Sequence, residues 1–451
     1  MEELYFVYGT ALVIVLYFIK QVVSRNFDPF APVWLFLIGY MQVYVLQAAS
    51  FHSWAIDVRG NELVAAANFR SFWALIWFLL VYRFGPAPAA ARLLPYPPRN
   101  WSPLFACIIS PPLILWGLYC ANMLMSGEVP TDEAYASEDA LVRSFPFMML
   151  VAAVLLVITG RTMASSRRLF LAAGLLTGAA YVLIWMFNGK RSHSLIGLLS
   201  TVCAVYLTRL RRPSWPVLIT TSLLSALVVS IAIGWREAIT YQRSVSGFVQ
   251  YLTEFQPEQI LVNLNVKEED GGVDLRSYEP FEYGGFLLMM DTVPAKSPYD
   301  YGESYLRAFS TFIPRIIWPG KPLFGRSKWI GAWIAGSEME RADDFAGPAI
   351  GILGATQLNG GVLATLIVLG VLSFTMRAAF EYLRLYPDVP WVQFFWAITY
   401  YNAWFMVVND DPLVWFYYNW GFTAMPVIVL AWWWNRGCSR SASQSCGSMK
   451  N

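Results

Sequence analysis

The chain has 451 residues, of which 57% are hydrophobic and 14% are charged, whereas an average soluble domain has roughly 45–50% apolar and ~25% charged residues. So few polar residues cannot cover soluble domains of this total length, and the excess apolar side chains must face lipid or lie between helices. Composition therefore excludes an ordinary soluble enzyme and predicts an all-α polytopic membrane protein. The formal net charge is only +2, and nucleic acid is not expected as a partner.

Apolar runs close to the ~20 residues needed to cross a bilayer recur along the chain and predict about 11 transmembrane helices. Short polar turns separate most of them. The glycine-rich segment 346–360 is interpreted as a re-entrant or pre-span segment. The runs lie at about 4–19, 32–49, 71–86, 103–125, 145–160, 169–187, 195–210, 216–234, 358–376, 391–408 and 413–434.

Charge placement predicts the orientation of these spans. With the N-terminus outside, half of the 32 lysine and arginine residues fall in the inner loops and the tail. The same inner segments hold only three acids, Asp28, Glu381 and Asp388. Because basic residues prefer the cytoplasmic side, we expect the N-terminus outside and the C-terminus in the cytoplasm. The first run follows two glutamates rather than a basic start, so it is expected to be a retained span.

The predicted organisation is dominated by one long connection on the outer side. Residues 1–234 hold spans 1–8, residues 235–357 form this connection with short helices, and residues 358–435 hold spans 9–11. The polar tail 436–451 is expected to be disordered. A connection as long as 235–357 is usually functional.

Cysteine and histidine usage gives no sign of a metal centre. Five cysteines and two histidines show no spacing typical of a metal site or a disulfide framework. No metal and no cofactor is therefore expected, although carboxylates in the outer connection leave weak binding of a divalent cation open.

Basic residues cluster at the outer ends of predicted spans. Lys190, Arg191 and His193 lie in a tight turn between two spans, where cations suit a phosphate or diphosphate group. Arg236 and Arg243 follow the eighth span, and their spacing of seven residues places them on one face of a continuing helix. The alternative interpretation of both clusters is a solvated, snorkelling helix end.

A third cluster surrounds a proline-rich segment of the outer connection. Three prolines within 314–322 forbid a regular helix and present Arg315 and Lys321 in fixed positions. Aromatic side chains nearby suit either the stacking of sugars or interfacial packing. The aromatic and basic residues just before this segment are Tyr301, Tyr305 and Arg307.

Acids on the outer side are candidates for a general base. Asp291 and Glu303 lie shortly before the proline-rich segment, so they rank first as groups that accept the proton of an attacking hydroxyl. Whether either carboxylate contacts a substrate hydroxyl depends on the three-dimensional structure.

These motifs, in this order, resemble the oligosaccharide repeat-unit polymerases of the Wzy type. The resemblance covers roughly 185–370 and is carried by Gly-Lys-Arg-Ser at 189–192, Tyr-Gly-Glu-Ser-Tyr at 301–305 and Ile-Pro-Arg-Ile-Ile-Trp-Pro-Gly-Lys-Pro at 313–322. It implies a GT-C-like glycosyltransferase of the bacterial inner membrane with one large periplasmic loop. This enzyme would transfer a growing glycan from undecaprenyl diphosphate to a lipid-linked repeat unit at the periplasmic face. The implied partners are lipid-linked oligosaccharide, the bilayer, a flippase and a chain-length regulator.

Three other functions fit the same residues. A glycan ligase of the O-antigen type uses the same lipid-linked donor and needs the same cationic pocket. A flippase or other transporter would use the bases to line a path, and the scarcity of charge within the drawn spans argues against it. A scaffold for an envelope polysaccharide machine would need no catalytic residue.

Overall fold

The computed structural model describes a helical protein. Among the described residues there is no strand. Seven helices are long and apolar enough to cross a membrane, which supports the predicted all-α membrane class; the total of 11 spans stays a prediction. The described residues are 4–126, 147–163, 166–237, 244–256, 282–303, 305, 318, 349–408, 425–431 and 433–434.

The chain forms two compact units, each assembled from separate stretches of sequence. Unit 1 comprises Met1–Pro95, Lys267–Leu385 and Tyr400–Phe416. Unit 2 comprises Tyr96–Val266, Tyr386–Thr399 and Tyr417–Asn451. The predicted division of the chain at residues 234, 357 and 435 stays a prediction.

Unit 1 contains eight described helices around a buried polar and aromatic core. The second helix, Val33–Ser50, contains a π-helical stretch at Gln42–Gln47. The helices are α1 (Tyr5–Val23), α2 (Val33–Ser50), α3 (His52–Arg59), α4 (Asn61–Phe84), α5 (Ala87–Leu93), α12 (Glu282–Thr292), α13 (Gly351–Leu385) and α15 (Asn402–Val408).

The short helix α12 lies inside unit 1. It contacts α2, α3, α4 and α13, and nine of its 11 residues are buried. Its close approach to the chain before α13 depends on Gly285, where a Cβ would clash with the Ala349 carbonyl oxygen. A segment that sequence reasoning assigns to the outer connection is thus part of the interior of this unit.

Helix α13 is broken near its amino end. Gly360 (φ 152°, ψ 23°) and Gly361 (φ 62°, ψ −130°) interrupt its helical backbone. Residues 351–359 form a buried half-helix, and the long remainder carries exposed apolar side chains such as Val362 and Leu363. The break falls at the boundary between the predicted re-entrant segment and the predicted ninth span.

Unit 2 contains seven helices with both ends described, together with the helical segment 425–431, and one helix lies at its centre. This central helix, Phe147–Thr162, contacts four of the other helices of the unit, and 13 of its 16 residues are buried. A helix enclosed by protein need not match the bilayer thickness, which explains why its apolar run is short. The helices are α6 (Pro103–Ser126), α7 (Phe147–Thr162), α8 (Arg167–Phe187), α9 (Arg191–Thr208), α10 (Trp215–Glu237), α11 (Val245–Glu254) and α14 (Pro390–Thr399).

The run 391–408, predicted as one span, is two helices. α14 ends at Thr399 and α15 begins at Asn402. The Tyr400 hydroxyl between them donates a hydrogen bond to the Pro29 carbonyl. α14 belongs to unit 2, whereas α15 belongs to unit 1. The predicted tail 436–451 lies outside the described residues.

Candidate functional site

A tight turn joins α8 to α9 in unit 2. The Gly189 and Lys190 N–H groups donate to the carbonyls of Met186 and Trp185, each at 2.9 Å. Gly189 adopts φ +65°, a left-handed conformation that favours glycine after a helix end. The turn therefore places Lys190 and Arg191 at the amino end of α9.

The end of α10 packs directly against this turn. A Cβ at Gly189 would lie 3.0 Å from the Cβ of Arg236. The neighbouring Trp235 donates its indole N–H to the Phe187 carbonyl at 2.7 Å. Arg236 thus lies beside the turn although it is far away in sequence. We call Gly189, Lys190, Arg191 and Arg236 the cationic turn.

The cationic turn has the chemistry of an anion site. Lys190, Arg191 and Arg236 are exposed, and no described carboxylate forms an ion pair with Arg191 or Arg236. Lys190 occupies the N-cap position of α9 without a side-chain cap hydrogen bond. Helix amino ends attract anions through their N–H groups and dipole, and guanidinium groups bind phosphate oxygens in pairs. The arrangement suits a phosphate or diphosphate group.

His193 adds no positive charge to this site at neutral pH. Its ring lies 4.3 Å from that of Trp185, and its Nδ1 is 3.2 Å from the Ser192 hydroxyl. Burial, together with the charge of Lys190, lowers the pKa of His193 from 6.5 to about 3. The imidazole is therefore neutral near pH 7 and is a weak base.

In unit 1, Asp291 is held by two cations. Its carboxylate oxygen Oδ2 lies 3.3 Å from the Arg59 guanidinium and 2.7 Å from Lys296 Nζ. These ion pairs fix the carboxylate between α3 and the chain after α12. They also compete with any acceptance of a proton from a substrate hydroxyl.

The chain after α12 is tied to the broken part of α13. The Asp300 N–H donates to the Leu358 carbonyl at 2.8 Å, and the Gly302 N–H donates to the Asn359 side-chain oxygen at 3.1 Å. These bonds hold Tyr301, which is 80% exposed, and the exposed Glu303. Glu303 is therefore the more accessible of the two candidate bases.

Sequence reasoning missed a polar cluster at the break of α13. Arg70 lies inside the candidate span α4 and donates a hydrogen bond to the Gln357 side-chain oxygen. A Cβ at Gly361 would lie 3.0 Å from the Tyr299 hydroxyl and 3.5 Å from that same Gln357 oxygen. The adjacent glycines within an apolar run were the available signal for this break.

A second polar network lies inside unit 1. The Gln47 amide donates to the Glu282 carboxylate at 2.6 Å, and its oxygen accepts the Tyr283 N–H at 3.1 Å. The Tyr283 hydroxyl donates to the Asn68 side-chain oxygen at 2.7 Å. All four residues are buried. This network positions α12 against α2 and α4.

The candidate residues from the sequence fall in both units. In unit 2, the turn brings together Lys190, Arg191, His193 and Arg236. Unit 1 holds Asp291, Tyr301, Glu303 and Tyr305. Four further candidates lie outside the described residues: Arg243, Arg307, Arg315 and Lys321.

Comparison with models of known protein families, with curated proteins and with solved structures gives no match to this chain. The resemblance to repeat-unit polymerases therefore rests on its sequence motifs.

Proposed function

We propose that this protein is a polysaccharide polymerase of the bacterial inner membrane. It would transfer a growing glycan from undecaprenyl diphosphate to a lipid-linked repeat unit at the periplasmic face. In this proposal the chain has about 11 spans, a periplasmic N-terminus, a cytoplasmic C-terminus and one large periplasmic loop. The observation that carries the proposal is the cationic turn, in which Lys190, Arg191 and Arg236 gather at the amino end of α9.

The chemistry needs positive charge at the leaving group. When the bond between the sugar C1 and the phosphate oxygen breaks, negative charge develops on the departing lipid diphosphate, and fixed cations stabilise it. The acceptor hydroxyl oxygen forms the new bond to C1, and its proton passes to a carboxylate. Of the two carboxylates that the sequence predicts for that role, Glu303 is exposed, whereas Asp291 is paired with Arg59 and Lys296.

The test is elongation of purified lipid-linked repeat units by the reconstituted protein. We expect Arg191→Gln and Arg236→Gln each to slow elongation about 10–100-fold, since each removes a charge-assisted hydrogen bond. Arg384→Gln is the matched control, because its guanidinium is exposed and bonded to Glu381 on the same helix. Normal glycan length from both variants of the cationic turn would contradict the proposal.

A glycan ligase remains the alternative within the same class of enzyme. It shares the lipid diphosphate donor but transfers a finished chain to another acceptor. Deletion of a polymerase leaves a product with one attached repeat unit, whereas deletion of a ligase removes all attached glycan. The lengths of surface glycan in a deletion strain distinguish the two.

Two observations favour a transporter as a second candidate. Arg70 lies within a candidate span, and α13 is discontinuous at Gly360 and Gly361. Charged residues within spans and broken helices are typical of transport pathways. Elongation of lipid-linked oligosaccharide by the purified protein without an energy source would exclude a purely transporting role.

A further inference from the structure

We propose that Arg70 and the break in α13 form a second anion site, which binds a phosphate group carried by a lipid. We call Arg70, Tyr299, Gln357 and Gly361 the break site. It lies entirely within unit 1 and shares no residue with the cationic turn of unit 2.

Arg70 is a cation without a counter-ion among its described neighbours. Its guanidinium donates to the neutral Gln357 oxygen, while the Gln357 amide N–H₂ is held by the Val293 carbonyl. No described carboxylate forms an ion pair with Arg70. A guanidinium has five N–H donors, and one amide oxygen satisfies only a part of them. Since an uncompensated charge within a span is costly, an anionic ligand is the expected partner.

The break provides further groups suited to an anion. Gly361 has no Cβ, and the Tyr299 hydroxyl, a hydrogen-bond donor, lies beside its backbone, while the Gln357 oxygen nearby accepts from Arg70. The long part of α13 starts again at this point, so the positive end of its dipole lies at the break. Tyr299 is also close enough to Arg70 to interact with it electrostatically. A guanidinium, a phenol and a helix amino end thus meet in one place.

The ligand is expected to arrive from the bilayer. Val362 and Leu363, directly after the break, are 49% and 67% exposed, and they belong to a candidate span. Exposed apolar side chains on a span face lipid. A phosphate on a lipid can therefore reach the break while its hydrocarbon chain stays in the bilayer.

The identity of the lipid rests on the proposed polymerase function. A polymerase uses two lipid diphosphates in each turnover, one on the donor glycan and one on the acceptor repeat unit, whereas a ligase needs one. One anion site in each unit gives two sites, which equals the number of lipid diphosphates that a polymerase binds. The break site would then hold the diphosphate of one of these two substrates. A phospholipid headgroup offers the same phosphate chemistry and is the other source.

The stoichiometry of bound lipid tests this inference. The full chain in phosphatidylcholine nanodiscs is titrated with undecaprenyl diphosphate, and bound lipid is counted by native mass spectrometry. We expect two lipids in the wild type, one in Arg70→Gln, and one in the double variant Arg191→Gln/Arg236→Gln. Affinity at the lost site should fall about 10–100-fold. Arg384→Gln should still bind two.

Gln357→Glu tests the same site without removing the cation. The new carboxylate sits where the Gln357 oxygen already accepts from Arg70, so it supplies the missing counter-ion internally. We expect this variant to remain folded and to bind one lipid, although the introduced carboxylate can no longer donate to the Val293 carbonyl. This result separates the loss of a ligand site from a failure to fold.

The outcomes distinguish the failure of this inference from the failure of the proposed function. The wild type could instead bind a single lipid, with binding that requires Arg191 and Arg236 and is unchanged in Arg70→Gln and Gln357→Glu. This result would contradict the break site but would still be consistent with a glycosyltransferase. Binding of phosphatidylglycerol that depends on Arg70, with no binding of undecaprenyl diphosphate, supports the anion site and contradicts the polymerase. If neither lipid binds in a way that depends on Arg70, the break site is not an anion site.

Discussion

The contact between Gly189 and Arg236 gives a sharp test of the cationic turn. In Gly189→Ala, a left-handed backbone at φ +65° costs about 1–2 kcal/mol. The new Cβ would also lie 3.0 Å from the Arg236 Cβ, closer than the ~3.5–4.0 Å optimum between carbon atoms, so Arg236 must move. We expect a lower melting temperature together with an affinity for undecaprenyl diphosphate about 10–100-fold weaker.

Gly60→Ala is the matched control. Gly60 also has a positive φ, +80°, but a Cβ there would meet nothing within 4 Å. Its backbone strain is expected to cost about 1–3 kcal/mol and leave lipid affinity unchanged. Thermal unfolding and lipid titration of both variants separate strain from displacement of Arg236. Equal affinities in the two variants would refute the assignment of Arg236 to the anion site.

Three further predictions concern stability. Tyr283→Phe should lower the free energy of unfolding by about 1–2 kcal/mol in a denaturant titration, because a buried amide oxygen loses its donor; an unchanged midpoint would contradict this. Asp291 pairs with Arg59 and Lys296, whose side chains are 14% and 51% exposed; Arg59→Met should therefore lower the free energy of unfolding more than Lys296→Met. High salt should abolish only the contribution of the Lys296 ion pair to stability, which is about 0–1 kcal/mol. Because the pKa of His193 falls to about 3 on folding, stability should drop as pH decreases below 6.5, by at most about 1.4 kcal/mol per pH unit, and His193→Asn should flatten this dependence.

Much of the helical architecture follows from apolar runs, because a span must satisfy its backbone hydrogen bonds internally. The runs at 4–19, 169–187 and 216–234 correspond to α1, α8 and α10. The break between α14 and α15 was not predicted, since residues 391–408 contain no charged residue, proline or glycine to mark it. Apolarity shows that a segment is buried or faces lipid, but it does not show which unit encloses it.

Interior polar contacts were the least predictable part of the candidate sites. Glu282 and Gln47 are 235 residues apart in sequence, and the pairing of Arg70 with Gln357 spans a similar separation. Neither periodicity nor charge counting signals such partners. Arg70 directly precedes the apolar run at about 71–86, so this run did not signal that Arg70 lies inside α4. The tight turn at 188–190 was predictable, since glycine and two bases between apolar runs mark it.

The interleaving of the two units has a consequence for biosynthesis. The first stretch of unit 1 ends at Pro95, whereas its next stretch begins at Lys267. At about 5–20 residues per second, the ribosome would need on the order of 10–30 s to produce the sequence between them. During that interval Gln47 and Arg70 have not yet met the residues that pair with them, Glu282 and Gln357. Until then, these polar side chains are without their final partners, and their hydrogen-bonding groups need other partners if they are in lipid.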